Sequence, residues 1–256
     1  MSKLNLKFGK KKNLQKYDGV QNKEITILNE KSKFAISEAY KSLRTNILFS
    51  NSSEGSKCFV LTSAIPGEGK TTTAINLAIS FAQTEKKVVL IDADLRKPKL
   101  HKYFDTDNKV GLSNVLAGMV GEKNKDYIKK TNIENLDIIG SGHIPPNPME
   151  LLSSDNVGKF VEGLKTEYDY VIFDTPPVNI VSDALVLSKC STGYILVTRS
   201  GYTEYSALNT ALSNLELANI KPLGVVLNDF NHKQQKYVSN GKYRYKSYYN
   251  YYRYGN

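Results

Sequence analysis

At 256 residues, 40% of them apolar, the chain is long enough for one large α/β domain with a buried core. No apolar run approaches the ~18 residues that cross a bilayer, and Met1-Ser2-Lys3-Leu4 lacks the apolar core of a signal peptide, so neither a spanning helix nor a leader is expected. The net charge of +10 belongs to the ends: residues 1–33 hold nine Lys against three acids, residues 232–256 six basic residues and no acid, and residues 34–231 hold 20 basic against 22 acidic residues.

Basic ends suit an anionic membrane surface or nucleic acid, or are plain solvated tails. Residues 1–33 are polar and Lys-rich and read as a mostly flexible segment. From Phe34 a helical pattern begins, with Phe34, Ala35, Ala39, Tyr40, Leu43, Ile47 and Leu48 at three-to-four spacing. Glu38, Lys41 and Arg44 share one sector of that helix. Two readings stand: a charge ladder within the helix, or an interface that docks a neighbouring subunit.

The chain is organised around Ala64-Ile65-Pro66-Gly67-Glu68-Gly69-Lys70-Thr71-Thr72. A strand-like run, Cys58–Thr62, leads into it and a helix-like run, Thr72–Ile79, leads out. Strand, Gly-rich turn, then helix is the setting of a phosphate-binding loop, in which backbone N–H groups and a helix N-terminus converge on phosphate. Lys70 would neutralise the β- and γ-phosphates and the Thr71 hydroxyl would ligate Mg²⁺. Ala64 stands where the first Gly of the motif belongs; the bland alternative is a surface turn with an incidental Lys.

Lys87–Ile91 reads as a buried parallel strand, from whose end Asp92 and Asp94 emerge at alternate positions, pointing the same way. Ligands of open α/β sheets bind at such strand ends. Residues 97–135 carry short helical patterns, as at Gly111–Leu116, before a strand at Leu136–Ile139. A Gly/Pro turn region, 140–148, opens helices at Met149–Leu152 and Asp155–Lys165; His143 within it has no neighbour that makes a metal or catalytic pair. Tyr170–Phe173 is a second buried strand, ending in Asp174 and stopped by Pro176-Pro177. Asp174 is placed to hold Mg²⁺ directly or through water. A helix at Asp183–Ser188, a strand at Tyr194–Thr198, a helix at Glu204–Ala218 and a strand at Val225–Asn228 follow. Asn228 is open to two roles, an adenine contact or a strand-end cap. Repeated β-α-β units imply a mainly parallel sheet with helices on both faces. Cys58 and Cys190, both in apolar runs, read as buried free thiols rather than a disulfide.

The end of the chain changes character. Eight of the 17 tyrosines lie from Tyr237 onward, and no aliphatic residue follows Val238. Such a segment cannot bury a core and is expected to be disordered. An aromatic, basic tail can stack on single-stranded nucleic acid or serve as a phosphoacceptor.

Together, Ala64–Thr72, Asp92-Ala93-Asp94-Leu95-Arg96, Asp174-Thr175-Pro176-Pro177 and the Tyr-rich end resemble the bacterial tyrosine kinases (BY-kinases), in particular the kinase subunits of Gram-positive capsular or exopolysaccharide assembly. The resemblance covers roughly residues 34–256, including Glu38–Asn46 and Pro145–Leu152. It implies a P-loop α/β fold related to partition and division ATPases, with ATP and Mg²⁺ as cofactors. Pro66, Gly67, Glu68, Gly69, Lys70, Thr71, Thr72 and Asn228 would line the nucleotide. Asp92 would be the base or orienter for the acceptor phenol, beside Asp94 and Lys70, and Thr71, Asp94 and Asp174 would support the metal. Tyr243, Tyr245, Tyr248, Tyr249, Tyr251, Tyr252 and Tyr254 would be phosphoacceptors on a neighbouring copy. The family's oligomerisation helix carries Glu-x-x-Arg-x-x-Arg, here Glu38, Lys41 and Arg44; Lys lacks the bidentate fork of Arg. The resemblance further implies a homo-oligomer, a membrane adaptor that activates the kinase, a tyrosine phosphatase, no nucleic-acid partner, and a cytoplasmic location at the inner membrane face. Two alternatives remain, a partition-type ATPase and a nucleotide-gated binding protein; the former usually carries an extra Lys near the start of its phosphate loop, absent from Ser63-Ala64-Ile65.

Overall fold

The computed structural model describes residues 27–51, 55–120 and 124–230; the Tyr-rich end and most of the basic N-terminal segment lie outside the described residues. One sheet contains β1 (Lys57–Ser63), β2 (Val88–Asp92), β3 (Ile128–Lys130), β4 (Leu136–Ile139), β5 (Tyr170–Asp174), β6 (Gly193–Arg199) and β7 (Pro222–Asn228). The helices are α1 (Phe34–Ser50), α2 (Lys70–Ala82), α3 (Leu100–Tyr103), α4 (Leu112–Leu116), α5 (Pro148–Ser153), α6 (Asp155–Lys165) and α7 (Tyr205–Leu217), with a 3-10 helix at Ser182–Lys189.

The strand order is β3-β4-β2-β5-β1-β6-β7, and only the β3–β4 pair is antiparallel. The apolar runs of the central strands are buried along their length because helices cover both faces. Alternate residues divide between two cores. Val60, Val89, Ile91, Val171, Phe173 and Leu196 pack with α6 and α7; Phe59, Leu61, Leu90, Ile172, Ile195 and Val197 pack with α2. Phe81 of α2 stacks on Tyr170 with ring centroids 4.1 Å apart and lies 6.0 Å from Phe59.

Packing begins before α1. Leu28 is buried and its N–H donates to Asn76 Oδ1 at 2.8 Å, so the residues just ahead of Phe34 lie on the domain. In α1 only Ile47 is buried; Ile36, Tyr40 and Leu43 turn toward the α2 core, while Phe34 and Phe49 are 68% and 84% exposed. The segment expected as an ordinary helix at Asp183–Ser188 is a 3-10 helix, the tighter form used in short connectors.

The chain order sets up the site. From β1 it runs outward to β2 and β4, then returns to place β5 in the slot between β2 and β1. The phosphate loop ends β1, Asp92 ends β2 and Asp174 ends β5, all at the same edge of a parallel sheet. Asp92 and Asp174 are direct register partners, and Leu61 pairs with Asp174 on the other side.

Candidate active site

The phosphate loop turns twice through left-handed backbone, at Gly67 (φ +87°) and Gly69 (φ +85°). A Cβ on Gly69 would lie 2.0 Å from Asn228 Nδ2, so that position demands glycine on two counts. Ala64 is buried and is not among the described residues with positive φ, which is why a residue with a Cβ serves there. Gly69 is the N-cap of α2, and Lys70, Thr71 and Thr72 form its first turn, leaving that turn's N–H groups directed at the loop.

Lys70 and Thr71 converge on Asp174. Lys70 Nζ lies 2.5 Å from Asp174 Oδ1, and Thr71 Oγ1 donates to Asp174 Oδ2 at 2.7 Å. All three are buried. Asp92, on the neighbouring strand, is fully buried. Its Oδ2 accepts from the N–H groups of Lys99 and Leu100 at 2.8 and 2.9 Å, and Oδ1 has only the 3.3 Å contact from Asp94 N–H. Burial, then the charge of Asp174, lifts the Asp92 carboxyl from 3.8 to about 7. Asp94 is half-buried, accepts from Lys97 N–H at 3.0 Å, and is also raised, chiefly by burial. Tyr103 of α3 is pushed up to about 12 by burial and then by the charges of Asp174 and Asp92.

The outcome for the remaining site residues is mixed. The Glu68 side chain is buried away from the phosphate cradle: Oε2 accepts from Ile65 N–H at 2.8 Å and Oε1 from the Thr203 hydroxyl. The Glu68 side chain therefore braces the loop from within. Pro66 and Gly67 are exposed, and their carbonyls accept from Tyr202 Oη (3.1 Å) and Arg199 (3.3 Å). Arg199 also pairs with Asp229 at 3.1 Å and lies over the Tyr202 ring. Asn228 donates to the Glu68 carbonyl at 2.9 Å, tying the end of β7 to the loop.

The trio Glu38, Lys41 and Arg44 does not act as one surface group. Lys41 pairs with Glu38 at 2.7 Å, but Arg44 turns inward to the Ser80 carbonyl and to Ser80 Oγ at 3.1 Å. His143 lies in its loop with Nδ1 3.2 Å from Asn114 Nδ2. The seven tail tyrosines are outside the described residues.

Sequence reading missed the brace formed by Thr203, Tyr202 and Arg199, which lies more than 130 residues along the chain from the loop it holds. It also missed Asp183, buried and bound bidentately by Arg96 at 2.8 and 3.0 Å. The Arg in Asp92–Arg96 was the available signal, since a bidentate fork in such a loop asks for a carboxylate partner.

Mg²⁺ binds through one or two protein oxygens plus phosphates and waters rather than in a cage of side chains. The donor set fits: Thr71 Oγ1 and Asp174 Oδ2 adjoin, and Asp92 and Asp94 supply further hard oxygens.

A parallel sheet with a Gly-rich loop, Lys and Thr at a helix start, and acids at the two adjacent strand ends defines a P-loop nucleotide-binding domain. Consistent with this, residues 57–218 match the family model described as "AAA domain". The chain is 43% identical to Tyrosine-protein kinase YwqD of Bacillus subtilis over 84% of its own length and 90% of that protein's. The kinase domain of the Escherichia coli tyrosine kinase ETK superimposes with a TM-score of 0.72 at 34% identity, covering 82% of this chain and 80% of that one. The septum site-determining protein MinD of Pyrococcus horikoshii, solved with Mg-ADP, matches with a TM-score of 0.55 at 27% identity, over 67% of this chain and 70% of that one. The chain belongs to the bacterial tyrosine-protein kinases, on a fold shared with division ATPases.

Proposed function

We propose that this kinase uses Mg–ATP to phosphorylate the tyrosine cluster Tyr243–Tyr254 of a neighbouring copy. One observation carries the reading: Lys70, Thr71 and Asp174 meet within hydrogen-bond distance, one strand away from Asp92. Phosphoryl transfer needs positioning and charge stabilisation more than covalent chemistry from the protein. Lys70 leaves Asp174 to neutralise the β- and γ-phosphates, and the loop amides of Gly67–Thr72 cradle them. Thr71 and Asp174, with Asp94 in support, would hold Mg²⁺, which would supply positive charge at the transferring group. Asp92, with a carboxyl near neutrality and Oδ1 almost unengaged, orients the phenol and takes its proton late. Asn228 fixes the loop and keeps the adenine role as a second contact.

The basic ends suit the anionic inner face of a membrane, where, in this reading, an adaptor with a cytoplasmic segment activates the chain and a tyrosine phosphatase reverses it. In that setting it regulates capsular or exopolysaccharide synthesis and export. Glu38, Lys41 and the exposed face of α1 contribute to the homo-oligomer, with Arg44 fixing α1 onto α2.

Incubation with γ-labelled ATP and Mg²⁺ tests the reading. Stable label on tyrosine supports it, released phosphate alone indicates an ATPase, and neither indicates a binder. For transfer between copies, a chain with the seven tail tyrosines changed to Phe is mixed with full-length Lys70→Ala. Label on the Lys70→Ala chain is expected; an unlabelled Lys70→Ala chain refutes transfer in trans.

A further inference from the structure

The segment that follows the acids of β2 is strongly cationic. Residues 96–102 hold Arg96, Lys97, Lys99 and Lys102 and no acid. Arg96, Lys97 and Lys99 are exposed. Their backbone is fixed to the site: Lys97 N–H donates to Asp94 Oδ1 at 3.0 Å, and Lys99 N–H to Asp92 Oδ2 at 2.8 Å. The two lysine side chains leave from those anchors, and neither ammonium is in an ion pair among the described residues.

Arg96 is held by a buried carboxylate. Asp183, in the first turn of the 3-10 helix, accepts from Nε at 2.8 Å and from Nη2 at 3.0 Å. The Arg96 side chain stays 40% exposed. Two of its five N–H donors are spent, and Nη1 has no acceptor among the described residues. Asp183 balances the Arg96 charge, so Arg96 offers fixed donors while Lys97 and Lys99 supply the net charge. A planar fork of donors beside two point charges suits a phosphate group.

The other end of the chain carries a matching pattern. Each of the seven tyrosines from Tyr243 to Tyr254 has another two or three residues away. In an extended peptide that separation is about 7–10 Å. Unmodified, residues 232–256 hold six basic residues and no acid, and so meet the cationic segment with like charge. One phosphate adds about −1.5 to −2 and reverses the sign locally.

We propose that Arg96, Lys97 and Lys99 form a subsite for a phosphotyrosine two or three residues from the tyrosine under attack, so that the first phosphate on the cluster primes the next. The subsite rests on the tail cluster being the acceptor. The bound phosphate takes no part in the transfer; it holds the neighbouring phenol beside Asp92.

The test uses the full-length chain with its seven tail tyrosines changed to Phe, and synthetic peptides of residues 243–256 in which Tyr252 is the one free tyrosine. Position 254 carries phosphotyrosine, Tyr254→Phe or Tyr254→Glu, and the remaining tyrosines are Phe. With γ-labelled ATP, kcat/KM for the phosphotyrosine peptide is expected to exceed that for the Phe peptide about tenfold, chiefly through KM. Most of that ratio is expected to be lost in Lys97→Ala/Lys99→Ala and kept in Lys97→Arg/Lys99→Arg. Damage to the loop alone slows both peptides alike, so a ratio unchanged by the alanine pair overturns the proposal. So do equal rates for the two peptides with the native loop, or a Glu peptide as good as the phosphotyrosine peptide. A set of peptides that takes no label refutes the tail as acceptor. Fluorescence anisotropy on the same set then decides the subsite: tighter binding of the phosphotyrosine peptide supports it, and equal affinities overturn it.

Discussion

Asp92→Asn tests the electrostatics of the site most directly. Both amide hydrogen bonds to Asp92 fall on Oδ2, which an Asn carbonyl preserves. The other oxygen, replaced by NH₂, has only the long 3.3 Å contact from Asp94 N–H. The substitution therefore removes a buried charge while keeping the cap on α3. A carboxyl lifted from 3.8 to about 7 costs roughly 4 kcal/mol to keep ionised above that pH. Relaxation and water penetration around a buried charge reduce such a cost, leaving about 2 kcal/mol for Asp92. The sign follows from the raised folded value. Between about pH 4 and 7 the folded chain holds a proton that the unfolded chain has released, so wild-type stability falls with pH relative to the variant. Thermal unfolding of both proteins across pH 4–8 checks this. The two should be nearly equal at pH 4, and the variant should lead by about 4–8 °C at pH 8. A gap that does not change with pH refutes a buried, strained Asp92 charge. Tyrosine phosphorylation should be lost in the same variant, separating its loss of chemistry from any loss of fold.

Gly69→Ala should abolish nucleotide binding, measured by calorimetry, because its Cβ meets Asn228 at 2.0 Å on left-handed backbone. Thr203→Val should raise KM for ATP about tenfold with a smaller change in kcat, since it releases Glu68 from its brace while leaving Lys70 and Asp92 untouched. Phe81→Ala should cost about 3–5 kcal/mol in urea unfolding, because the ring is fully buried against Tyr170 and Phe59.

Local pattern made much of this legible in sequence. The strand ends at Asp92 and Asp174 are readable because an apolar run stops at an acid, and their pairing follows once β-α-β alternation implies a parallel sheet. Gly67 and Gly69 announced a turn that only glycine makes easily. Strand β3 left no trace, since two half-exposed residues and an exposed one at an edge carry no period. The inward turn of Arg44 was invisible because helical spacing gives a sector, and Ser80, its partner, belongs to another helix. Glu68 looked like a cradle residue by position alone; its side-chain direction depends on Thr203, far along the chain.

The late return of β5 to the middle of the sheet also governs how the molecule is made. Strands β1 and β2 bond not to each other but each to residues 170–174, so closing the centre waits on a contact spanning about a hundred residues. Lys70 and Asp92 acquire their shared neighbour in that one event. The brace on the phosphate loop comes later still, from residues 199–228, so the loop is fully held only after nearly all of the described chain has been made.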